Sequence, residues 1–81
     1  MELIDTCKLM ISKNYKDRFK AEYYQLEIRR NKLAKMISDY DTGKLEFTPI
    51  NSIYLLKTQL DCMETYLNIL KLRAITEEID L

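Results

Sequence analysis

"DYDTGKLEFTPIN", Asp39 to Asn51, contains the only glycine and the only proline of an 81-residue chain, and the fold turns on how it is read. Gly43 can adopt the left-handed conformation that closes a helix. "Thr48-Pro49" has the form of an N-cap followed by a first helical residue, where proline's missing amide hydrogen costs nothing. A helix ending near Tyr40 and another beginning at Pro49, joined by residues 41–48, make an antiparallel hairpin.

Upstream of the break, Tyr15, Phe19, Tyr23, Leu26, Arg30, Leu33, Ile37 and Tyr40 recur at three- and four-residue steps, the period of one helix face. This predicts helix one over residues 14–40, with Asn14 as its N-cap and Asp17 three residues later. Downstream, Ile53, Leu56, Leu60, Met63, Leu67, Leu70 and Ala74 predict helix two over residues 49–78. A second apolar stripe, Leu55, Cys62, Tyr66 and Ile69, is read as lying beside the first. One partner helix covers one stripe, so the second calls for another partner. Residues 1–13, with Leu3, Ile4, Cys7, Leu9, Met10 and Ile11, could fold back over it. Alternatively, a second copy of the chain covers it, which the burial deficit of so small a domain favours. The expected architecture is therefore all-α: a single domain 1–81, an antiparallel two-helix hairpin with a short N-terminal segment, assembling through helix two into a homo-oligomeric helical bundle.

Other aids to a small core are unpromising. Cys7 and Cys62 are the only cysteines, no apolar export signal precedes them, and there is no histidine. No apolar run approaches the ~20 residues that span a bilayer, so a soluble, cytoplasmic protein without membrane partners is expected. Catalytic chemistry is sparse as well. There is no glycine-rich phosphate loop and no nucleophile elbow, and "ITEEID" offers Glu77 and Asp80 with no second acidic cluster to face them across a metal. The expectation is a non-enzyme with no cofactor.

Formal net charge is zero, yet residues 13–35 carry eight basic against three acidic side chains, leaving five basic and ten acidic elsewhere. A basic face on an acidic remainder suits a small phosphate-bearing ligand better than duplex nucleic acid, whose binders are usually basic overall. "NYKDRFKAEYYQLEIRR", Asn14 to Arg30, interleaves aromatic rings with guanidinium groups, a setting in which a base can stack and a phosphate can be clamped bidentately. Packing accounts for much of Tyr15, Phe19 and Tyr23, which lie on the inward stripe. Arg30 lies on it too, and a guanidinium is rarely buried without an anionic partner. Ion pairing to Asp61 or Glu64 on helix two is the structural reading of Arg30.

The segments "NYKDRFKAEYYQLEIRRNKLAKMI", "DTGKLEFTP", "LKTQLDCMETYLNILKLRA" and the acidic end "EEIDL" resemble a family of small phage and prophage proteins related to a crAss-like phage product. The landmarks are Asn14, Tyr15, Arg18, Phe19, Glu22 and Tyr23 in helix one, and Gln59, Leu60, Met63, Tyr66, Leu67 and Arg73 in helix two. By looser analogy of size, helical content and the origin this resemblance implies, the chain is similar to phage anti-defence sponges, the anti-CBASS and anti-Thoeris proteins. These hold cyclic oligonucleotides or cyclic ADP-ribose-type signals between subunits without hydrolysing them. On that analogy the chain sequesters a cyclic or ADP-ribose-derived nucleotide in an infected bacterial cell. Arg18, Arg29, Arg30 and Lys32 would be the phosphate clamps, and Tyr15, Phe19, Tyr23 and Tyr24 the stacking surfaces. The alternative is a phage accessory protein that presents a helical face to a host protein and holds no small molecule.

Overall fold

The computed structural model describes residues 1–81 and is helical throughout, with no strand. A 3-10 turn, Leu3–Thr6, runs into the four-residue helix α1, Cys7–Met10; the long helices α2, Tyr15–Asp41, and α3, Ile53–Glu77, follow. The 27 residues of α2 rise about 40 Å at 1.5 Å each. That accounts for the long axis of a molecule measuring 43 × 24 × 17 Å.

Helix α2 starts as expected, with the Asn14 side chain accepting from the Lys16 amide at 2.9 Å. It closes near Gly43, which sits at φ +73°. The start of helix two is corrected. Thr48 and Pro49 belong to the connection, and α3 begins at Ile53, where Ser52 caps it by accepting from the Leu55 amide at 3.2 Å. Proline's fixed φ fits a turn as well as a first helical position, and Ser52, three residues on, supplies the stronger cap. At the far end, Glu78 takes the left-handed conformation, φ 56°, and the Ile79 amide reaches back to the Ala74 carbonyl at 2.9 Å. This Schellman-type closure folds the tail back, so that Ile79 enters the core.

The long helices run antiparallel, as their side-chain partners show in reverse order: Tyr15 with Glu77, Arg30 with Glu64, Asp41 with Lys57. The core gathers at the open end of the hairpin, where Phe19 and Tyr23 meet Leu67, Leu70, Ala74 and Ile79, with Leu70 fully buried. Toward the connection the predicted core stripe thins. Ile53, Leu56, Leu60 and Met63 are only half-buried, and Phe47 and Ile50 are exposed.

The N-terminal segment does not cover the second stripe of helix two. The backbones of the 3-10 turn and α1 approach α2 and not α3. Thr6 anchors them: fully buried, its hydroxyl donates to the Leu3 carbonyl at 2.7 Å and accepts from Gln25 Nε2 at 2.9 Å. At about 100° per residue, the second stripe of helix two, Leu55, Cys62, Tyr66 and Ile69, centres roughly 100° around α3 from Leu67, Leu70 and Ala74, on the flank that turns toward the outer surface. All four are exposed.

Candidate functional site

The helical period separates the basic and aromatic residues of α2 into different surroundings. Phe19 and Tyr23, 3% and 6% exposed, turn their rings into the core. The Tyr23 hydroxyl donates to Glu27 at 3.1 Å; burial pushes its pKa up, and the neighbouring carboxylate adds to that. Tyr24 is half-buried, edge-on to Tyr23 with ring centroids 5.6 Å apart. Arg30 spans to α3, where it is hydrogen-bonded and ion-paired to Glu64, and also donates to Asn31 at 3.0 Å. Its position on the inward face is thereby accounted for. Lys32 is exposed and bonds to no protein group. Tyr15, half-exposed, is tied to α3.

Arg18 and Arg29 are brought together differently. With Glu22 and Gln25 they form a stripe at steps of four, three and four residues along one side of α2. The stripe borders a groove of about 350 Å³ between the N-terminal segment and α3, walled by Met10 and Tyr66 and floored by Ala21 and Leu26. Arg18 is held in place by donating to the Ser12 carbonyl at 2.8 Å, leaving its other N–H groups free. Arg29 is exposed and has neither a hydrogen-bond partner nor an ion pair within the chain. Between them the Glu22 carboxylate accepts from the Tyr66 hydroxyl. Two guanidinium groups against one carboxylate leave the groove with a net positive charge. Chemically it offers donors for phosphate in the arginines, an acceptor for ribose hydroxyls or base amines in Glu22, both functions in Gln25, and an apolar floor with one aromatic wall.

Sequence reasoning identified Arg18 and Arg29 and missed Met10, Glu22, Gln25 and Tyr66 as groove residues. The stripe spacing on α2 was a usable signal for Glu22 and Gln25. Nothing local foretells Met10 or Tyr66, which arrive through tertiary packing.

At the open end of the hairpin a second polar cluster braces α2 to α3. The Tyr15 hydroxyl donates to Glu77 Oε1 at 2.6 Å and accepts from Arg73 Nη2 at 2.9 Å, while Arg73 Nε donates to Glu77 Oε2 at 3.1 Å. The Arg73 guanidinium also lies 5.0 Å from the centroid of the Phe19 ring. The hydrogen bond to Glu77 raises the Tyr15 pKa, and the Tyr15 and Arg73 donors hold the Glu77 carboxyl below its usual range. The two signs differ. Glu77 contributes stability that is present above its unfolded pKa of about 4.3 and lost as pH falls through the lower folded value. Tyr15 contributes stability that is present below about pH 10 and lost as pH rises through its higher folded value. Thermal midpoints measured against pH should therefore fall at both extremes. Tyr15→Phe should blunt both declines, leaving the alkaline part due to Tyr23; an unchanged profile would show the brace to be energetically idle.

No helix is long and apolar enough to cross a membrane. A family model described as Sequestin matches residues 13–76, taking in all of α2 and nearly all of α3, with the Arg18, Glu22, Gln25, Arg29 stripe and Tyr66 inside the match and Met10 outside it. No curated protein and no solved structure matches the chain.

Proposed function

From the fact that this chain belongs to the Sequestin family, we propose that it is a phage anti-defence protein which binds a cyclic or ADP-ribose-type nucleotide immune signal and withholds it without cleaving it. The family name itself points to sequestration of a molecule. What supports a nucleotide is the groove, above all the free Arg29 guanidinium beside an anchored Arg18 over an apolar floor. A phosphate placed there gains charge-assisted hydrogen bonds, and a base can lie between Tyr66 and the floor. The groove lines the ligand with two arginines as phosphate donors and with the Glu22 carboxylate, steadied by Tyr66, as an acceptor, an arrangement that fits holding the ligand rather than turning it over. On this reading the protein works as a homo-oligomer in the cytoplasm of an infected bacterium.

The test is calorimetry of the purified protein against cyclic dinucleotides, cyclic ADP-ribose and linear ADP-ribose derivatives. Binding of one class is expected, and mass spectrometry after denaturation should recover that nucleotide unchanged. Absence of heat across the panel would reject sequestration of a nucleotide. It would favour a second reading, a phage accessory protein that docks on a host protein, for which the exposed Phe47, Ile50 and Tyr54 at the hairpin's closed end supply an apolar surface.

A further inference from the structure

The outer face of α3 has a regularity that packing within the chain does not use. Leu55, Cys62 and Ile69 repeat every seven residues, and Thr58, Thr65 and Leu72 repeat every seven residues three positions later. Together they form the a/d seam of a coiled coil. None of the six is charged and all are exposed, Leu55 at 58%, Ile69 at 49% and Leu72 at 66%. The small members, Thr58, Cys62 and Thr65, lie at the middle and leave a hollow of about 380 Å³. The bulky members lie at the ends.

Such a face is complementary to itself when one copy is reversed. About a two-fold axis between Cys62 and Thr65, an antiparallel partner sets Leu55 opposite Leu72, Thr58 opposite Ile69 and Cys62 opposite Thr65, matching small residues with large ones or with each other. The accessible area agrees. A monomer of 9.7 kDa is expected to expose about 5,100 Å², whereas this chain exposes 6058 Å². The excess, roughly 900 Å², is close to the ~800 Å² that one partner contributes to a standard interface. The shape agrees too: the radius of gyration is 15.0 Å, against about 12 Å for a compact chain of this length.

We propose that a second copy of this chain docks antiparallel on the Leu55, Thr58, Cys62, Thr65, Ile69, Leu72 seam of α3, forming an isologous dimer. Tyr66 borders both that seam and the groove, with its hydroxyl on Glu22. The partner's α3 therefore runs along the groove's open flank and completes its wall; this clause rests on the sequestration reading above.

Thr65→Glu tests the proposal, because Thr65 is exposed in the subunit and glutamate favours helix at least as well as threonine. Sedimentation equilibrium should give twice the 9.7 kDa chain mass for the parent and the chain mass for Thr65→Glu, with helical circular dichroism retained. A parent that sediments as a monomer throughout the micromolar range, or a Thr65→Glu variant that remains dimeric, overturns the seam. Maleimide labelling of Cys62 gives a second readout: slow in the parent at high concentration and fast on dilution, with no concentration dependence overturning the proposal. Calorimetry with cyclic ADP-ribose and a cyclic dinucleotide separates the linked claims. Loss of affinity by at least about tenfold in Thr65→Glu supports a partner-completed groove. Undiminished affinity in a monomeric variant removes that clause and leaves sequestration standing, whereas a dimeric parent that binds neither probe removes sequestration and leaves the seam.

Discussion

Leu70→Ala should destabilise the protein more than any other single truncation of an aliphatic side chain. Leu70 is fully buried, at the centre of the cluster that joins Phe19 and Tyr23 to Leu67, Ala74 and Ile79. Truncating a buried leucine costs about 2 to 5 kcal/mol, the lost transfer energy plus the cavity left behind. A chain of 81 residues has roughly 4 to 12 kcal/mol of stability in total, so the variant loses a large share of it. The thermal midpoint should drop by at least about 8 °C. Ile75→Ala is the control. Its side chain is 76% exposed and lies off both the core and the proposed seam, so the midpoint should move little. Leu67→Ala should behave like Leu70→Ala, and Leu60→Ala should be milder, since Leu67 is 5% exposed while Leu60 is half-buried. Equal midpoints for Leu70→Ala and Ile75→Ala would show that the hairpin's core lies elsewhere.

That difference between Leu60 and Leu67 marks where periodicity stops informing. Spacing identifies the face that points inward, and for both long helices it did so correctly, because Asn14 and Gly43 punctuate α2 and its apolar positions keep step. It does not say how much each position is covered. Coverage depends on neighbours remote in sequence, such as Ile79, which reaches the core only because Glu78 adopts a left-handed conformation. The start of α3 was misread for a related reason: Pro49 suits a turn and a first helical position equally, and the choice went to Ser52. The N-terminal segment was the least legible part. A four-residue helix is too short to show a period, and its anchor, the buried Thr6 hydroxyl paired with Gln25, is a polar contact that no apolar pattern announces. In the site, the oddness of Arg30 was readable, and so was its explanation in Glu64. The groove was only half readable, since one wall is built by α3 and the other by the segment that periodicity could not place.

Two adjacent arginines should therefore respond in opposite ways. Arg29 bonds to no protein group and borders the groove; Arg30 is bonded to Glu64 and Asn31 across and along the hairpin. Arg29→Ala should leave the thermal midpoint almost unchanged, because an exposed side chain without partners contributes little to folding. It should weaken binding of the nucleotide found by calorimetry by about 1.5 to 3 kcal/mol, the worth of a hydrogen bond to a charged group, or roughly ten- to more than a hundredfold in dissociation constant. Arg29→Lys should fall between, since it keeps the charge but loses the planar fork that grips two phosphate oxygens at once. Arg30→Ala should do the reverse. It removes a half-exposed ion pair worth up to about 1 kcal/mol, together with the apolar stem of the side chain, and so lowers the midpoint while affinity stays near that of the parent. Should Arg30→Ala abolish binding while Arg29→Ala binds normally, the phosphate clamp would belong to the inward face of α2. The Arg30 to Glu64 pair would then have to open to admit the ligand.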